Sequence, residues 1–131
     1  MVDPSYAFSK ELDGVTVEDA VDRVVAALKD HGFGVLTTID VQETLKTKIG
    51  EDFRPYVILG ACNPRLAHKA LQGDAHIGLL LPCNVVVQES DNGALVSFAD
   101  PKAMFELAPH APIGEVAAEA RALLEAARDQ L

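Results

Sequence analysis

Arg54-Pro55-Tyr56-Val57-Ile58-Leu59-Gly60-Ala61-Cys62-Asn63-Pro64 is the stretch that decides the fold class. Tyr56, Val57 and Ile58 favour extended backbone, and residues 54–61 are predicted to form a strand. Asn63-Pro64 then opens a helix. Asparagine supplies a capping oxygen, and proline at the first helical position lacks only an N–H that would have no helical partner. Leu66, Ala67, Ala70 and Leu71 give this helix an apolar face, and Gly73 ends it. A strand passing directly into a helix is the unit of an α/β protein.

The same alternation extends toward the N-terminus. Residues 6–12 predict a strand, and Asp13-Gly14 a turn. Thr16 with Asp19 resembles a capping box, and Val17, Val21, Val24, Val25 and Leu28 recur at helical spacing up to Gly32. Residues 33–39 predict a second strand with Phe33, Val35, Thr37 and Ile39 on one face. Asp40 with Glu43 caps a short helix carrying Val41, Leu45 and Ile49 up to Gly50.

Toward the C-terminus, residues 77–89 form a long apolar run. Pro82 cannot donate to a ladder, so it marks an edge, a bulge or a strand break. Asp91-Asn92-Gly93 is a hairpin signal leading into a strand over residues 94–99. Asp100-Pro101 opens another short helix, and Pro109 and Pro112 punctuate a loop. Ile113, Val116, Ala117, Ala120, Leu123, Leu124 and Ala127 form one stripe of a C-terminal helix. The expectation is a single compact α/β domain over residues 1–131. Its mixed sheet would be partly parallel through right-handed crossovers, with a β-hairpin and helices packed on it.

Composition narrows the function. The 131 residues suit one domain, and five Phe, two Tyr and no Trp leave the core to aliphatic side chains. A net charge of -9 argues against nucleic acid and against an anionic membrane surface. No N-terminal leader pattern and no long apolar span is present, and two cysteines are not a secreted disulfide framework, so cytoplasm is the expected address.

Two tripeptides draw attention: Ala61-Cys62-Asn63 and Pro82-Cys83-Asn84. Cys62 precedes a helix N-terminus, where the dipole favours an anion and lowers a thiol pKa, and Arg65 adds positive charge nearby. Strand ends and strand irregularities are also places where ligands bind. Against this stands plain packing. Free cysteine behaves as a small hydrophobe, and Asn63 is explained as a cap. His31, His68, His76 and His110 show no zinc spacing. His31 suits a helix C-terminus, His110 sits in the Pro-flanked loop, and a Cys62–His68 pair is geometrically doubtful. Arg54-Pro55-Tyr56 is read equally as pocket wall or as strand start. There is no phosphate loop and no nucleophile elbow.

Gly32–Leu36, Ile39–Val41, Thr44–Lys46, Tyr56–Pro64 and Gly78–Val85 together resemble the signature stretches of the family called domain of unknown function 302. The resemblance runs from the first helix into the C-terminal helix. It implies a compact α/β fold assembled as a homodimer, and it implies no reaction. The positions matching the family's motif are Gly60, Cys62, Asn63, Pro64, Pro82, Cys83 and Asn84.

The leading reading is a small-ligand-binding homodimer with a pocket lined by Cys62, Asn63, Pro82, Cys83 and Asn84. Two alternatives stay open. One is a thiol redox or transfer enzyme using Cys62 and Cys83. The other is soft-metal or haem binding through those cysteines and His68. No catalytic residue, metal site or cofactor is assigned.

Overall fold

A computed structural model describes residues 2–109 and 112–131. The strands are β1 (Ala7–Asp13), β2 (Gly34–Asp40), β3 (Tyr56–Cys62), β4 (Cys83–Glu89) and β5 (Gly93–Ala99). The helices are α1 (Val17–Asp30), α2 (Val41–Ile49), α3 (Pro64–Gly73), α4 (Pro101–Phe105) and α5 (Ile113–Gln130), with a 3-10 helix at Ala75–Leu80. The sheet order is β1-β5-β4-β3-β2.

The α/β class, the hairpin and the helices packed on one sheet match the expectation. The expected parallel pairing does not: every strand pairing among the described residues is antiparallel. The reason is helix length. A crossover helix must carry the chain back along a whole strand. Seven extended residues span about 24 Å, whereas nine helical residues return only about 14 Å. The short helices α2 and α3 therefore sit inside antiparallel connections. Only α1 makes a true crossover, taking the chain from β1 at one edge to β2 at the other.

Capping follows the sequence closely. Thr16 Oγ1 accepts from the Asp19 N–H (3.1 Å), Asp40 Oδ1 from Glu43 (3.0 Å) and Asn63 Oδ1 from Leu66 (3.1 Å). His31 is the C-cap of α1, with Gly32 beyond it at φ +83°. The apolar run at residues 77–89 divides: its first part is the 3-10 helix, and β4 begins only after Pro82. The histidine at position 110 lies outside the described residues.

Register assigns the two faces of the sheet. Two rows, Phe8–Phe98–Val85–Leu59–Thr38 and Lys10–Val96–Val87–Val57–Asp40, share one face. Their apolar members pack under α1 and α5, through Ala20, Val24, Ala27 and Leu28 and through Val116, Ala120, Leu124 and Ala127. Each large aliphatic buried here contributes about 1.5–3 kcal/mol. Phe8 stacks on Phe98 with ring centroids 5.5 Å apart. Asp100, a buried carboxylate, caps α4 through Lys102 N–H and pairs with Arg121 of α5 at 3.0 Å, tying α4 to α5.

β2 departs from its predicted pattern. Val35 pairs with Ala61 and Thr37 with Gly60, so Leu36 is an extra residue, a β-bulge. Beyond it the alternation is inverted. Thr38 and Asp40 point to the helical face, and Ile39, expected on the core side with Phe33 and Val35, points to the other. α2 fully buries none of its side chains: Val41 and Leu45 are partly buried and Ile49 is 65% exposed, so its predicted apolar stripe covers little of the sheet.

Gly93 is required by crowding rather than by a positive φ. A Cβ there would lie 2.1 Å from the Leu12 carbonyl oxygen and 2.8 Å from the Gly14 nitrogen, both backbone atoms that cannot swing aside. Gly93→Ala is expected to lower stability by about 1–3 kcal/mol, the usual cost of overpacking. Urea unfolding checks this, and an unchanged midpoint would contradict the hairpin packing.

Candidate functional site

The two tripeptides meet in space. Ala61 pairs with Cys83 and Gly60 with Asn84 across β3 and β4. Cys62 ends β3, Asn63 caps α3, and Pro82 immediately precedes β4. A Cβ on Gly60 would lie 2.2 Å from Thr37 Oγ1 and 2.8 Å from Pro82 Cγ, so Pro82 and Thr37 close over this glycine. The motif residues thus hold the β2–β3–β4 junction together.

As a pocket the junction is small. Cys62, Asn63 and Cys83 line a cavity of about 20 Å³ walled by Phe33, Leu66 and Phe105. That is room for about one water molecule. Pro82, Cys83 and Asn84 border a second cavity of about 110 Å³, with Leu79, Met104 and Phe105. Cys83 is common to both.

The thiols are free. Burial pushes the Cys62 pKa up rather than down. Burial, reinforced by the neighbouring Cys62, pushes Cys83 up to about 11. For Cys62 the shift runs opposite to the lowering that a helix N-terminus would give, and its cause is desolvation by burial. Arg65 is paired with Glu119 of α5, so its charge is engaged there. His68 lies exposed on α3. Among the described residues no group of three His, Cys, Asp or Glu side chains is placed to hold a metal ion.

A much larger concavity lies elsewhere. A groove of about 1050 Å³ opens on the helical face, between α1 and the uncovered ends of β2, β3 and β4. Its apolar wall includes Val17, Val21 and Val57. Glu18, Asp22, Asp40, Glu89 and Asp91 line it, and no Lys, Arg or His does. Asp40 is engaged as the α2 cap. Among the described residues, the carboxylates of Glu18, Asp22, Glu89 and Asp91 are in no ion pair. Pro55 and Tyr56 also line the groove, while Arg54 turns away to hydrogen-bond Gln88 Oε1 (2.9 Å).

Sequence reasoning missed this groove. Its carboxylates read as solvated helix and loop charges, and Asp40 as a cap. The available signal was α2 itself, whose apolar residues recur only every fourth position, too narrow a stripe to cover a sheet.

A family model for the domain of unknown function DUF302 matches residues 8–131. The chain belongs to the DUF302 family. A crystal structure of an uncharacterised conserved DUF302 protein from Bacillus stearothermophilus is similar over 97% of this chain and 98% of that one. The identity is 27% and the TM-score 0.88. No protein of curated function matches the chain. The DUF302 assignment agrees with the resemblance carried by the motif stretches. It names no reaction, and it favours neither the redox nor the metal alternative. Among the described residues no helix is long and apolar enough to cross a membrane.

The raised thiol pKa values have a direct consequence. At neutral pH both cysteines are expected to react with iodoacetamide more slowly than free cysteine, Cys83 more slowly than Cys62, with rates climbing only in the alkaline range. The unfolded thiol ionises near 9.0 and the folded Cys83 near 11, so its contribution to stability is full below 9 and is lost as pH rises toward 11. Mass-resolved alkylation against pH checks the order, and a fast-reacting Cys83 at neutral pH would contradict it.

Proposed function

We propose that this DUF302 chain is a small-molecule-binding protein that takes a cationic ligand, an amine or polyamine, in the groove between α1 and the β2–β4 ends. The observation that carries this reading is the groove's lining: five carboxylates, an apolar wall and no cation, in a volume suited to a small molecule. Ammonium groups would meet Glu18, Asp22, Glu89 and Asp91, and methylene spacers would lie against Val17, Val21 and Val57. We take the protein to act as a cytoplasmic homodimer.

A second reading keeps the ligand at Cys62, Asn63, Pro82, Cys83 and Asn84. The cavity of about 110 Å³ beside Pro82, Cys83 and Asn84 favours it only for a ligand of a few heavy atoms.

Titration calorimetry with spermidine tests the groove. Binding is expected to weaken as salt is raised, because screening shortens the reach of the carboxylates. The Asp22→Asn/Glu89→Gln variant is expected to bind at least about tenfold more weakly, roughly 1.4 kcal/mol. Absence of binding by the wild type, or equal binding by the variant, would overturn the proposal.

A further inference from the structure

Register gives the second face of the sheet a row of its own: Ile39–Ile58–Val86–Ser97–Ser9. No charged side chain stands in it, on a chain of net charge -9. An antiparallel sheet with one solvated face normally alternates apolar and polar residues. β1 follows this rule on the outer face with Ser9, Glu11 and Asp13, and Ser9 shares a hydrogen bond of 2.8 Å with Ser97 of β5. β3 and β4 break it, with Val57-Ile58-Leu59 and Val85-Val86-Val87 apolar on both faces. Ile58 and Val86 lie outside the helical core. Ile39 is 46% exposed, and in the next row Tyr56 is partly exposed while Leu95 is already buried within the single chain.

We infer that a second copy of this chain covers this face, the two sheets packing on each other about a twofold axis that runs along the Ile39–Ile58–Val86 row. The inference rests on the homodimer reading above and names its interface.

Symmetry and charge both favour the second copy as occupant. A twofold interface must be complementary to itself. Rotation about this row lays Ile58 and Val86 on their own counterparts. It carries Arg54, which lies over the Tyr56 ring and is bound to Gln88, away from its own copy. Arg54 then faces the neighbouring-row side of Thr37 and Asn84, both uncharged. Glu11, a carboxylate of β1 on this face, is carried toward Ala7 and Ala99, and Asp13 past them toward Ser5. Asp3, bound to the Ser9 N–H at the β1 end of the row, is the carboxylate that this axis leaves nearest its own copy, and it stands at the sheet edge rather than among the apolar residues of the row.

The area is adequate. Five strands of seven residues present a flat face of about 550 Å² at usual strand spacing. Side-chain relief, with Phe53 at the rim, raises this toward the about 800 Å² per partner of a stable interface. Packing at about 10 Å between sheets is the ordinary sandwich geometry.

Because Ile58 would face its own counterpart, charge at this position tests the geometry directly. Full-length wild type, Ile58→Lys and Ile58→Glu are compared by native mass spectrometry and sedimentation velocity, with circular dichroism to confirm folding. The wild type is expected to be dimeric and each variant monomeric, since like charges then oppose one another. An equimolar mixture of the two variants is expected to form the Lys/Glu heterodimer. A monomeric wild type overturns both the homodimer reading and this interface. Variants that stay dimeric, or monomeric variants that form no heterodimer on mixing, overturn the interface. Should either Ile58 variant misfold, Val86→Lys and Val86→Glu repeat the test on the same axis. Leu36→Lys separates pairing through the β2 edge: dissociation by that change, with the Ile58 variants still dimeric, overturns the face in favour of the edge. Spermidine binding to the monomeric variants reads the groove independently.

Discussion

The β-bulge at Leu36 sets the character of both faces of the sheet. One extra residue in β2 inverts the alternation for the rest of the strand. Thr38 and Asp40 are thereby placed at the ends of the two core rows, on the helical side, where aliphatic residues would otherwise continue the core. Ile39 is placed on the opposite side, beside Ile58 and Val86. Without the inversion the helical face would carry an apolar β2 needing a helix to cover it, and the outer face would be polar at that edge. With it, α2 can stand off the sheet with no fully buried side chain.

The polar side of the groove at Thr38 and Asp40 and the place of Ile39 in the outer row are therefore two consequences of one register shift. On the helical side, α1 and α5 cover the sheet but leave the ends of β2, β3 and β4 at Asp40, Val57 and Glu89 open, which makes a polar-edged concavity. On the outer side, the same strands present aliphatic residues without a helix. Gly60 holds the junction in place, with Thr37 and Pro82 closed over it. This gives the motif residues around Cys62 and Cys83 a structural task, fixing β2, β3 and β4 against one another.

Much of the fold was legible in the residues. The caps at Thr16, Asp40 and Asn63, the stripe of α5 and the hairpin at Asp91-Asn92-Gly93 follow from local chemistry, and local chemistry is what a sequence displays. The pairing direction was not legible. It depends on whether each connecting helix spans the sheet or stands aside, and that is settled by tertiary packing. The bulge was hidden for a similar reason: Val35-Leu36-Thr37-Thr38-Ile39 reads as an unbroken strand, and only pairing with Ala61 and Gly60 exposes the extra residue. At the candidate site, the two Cys-Asn tripeptides were legible as a strand end and a strand irregularity, but not their proximity, which depends on the pairing of β3 with β4. The thiol pKa values were not, because desolvation depends on neighbours distant in sequence. The acidic groove was invisible for the same reason, its carboxylates coming from α1, β2, β4 and the hairpin.

The account turns on where a cationic ligand binds. Backbone amide NMR of the labelled protein titrated with spermidine measures that location directly. The account predicts shift changes concentrated at Val17, Val21, Thr38, Val57 and Glu89, with Cys62, Cys83 and Asn84 unmoved. Changes concentrated at those last three residues, or none at the groove, would contradict it.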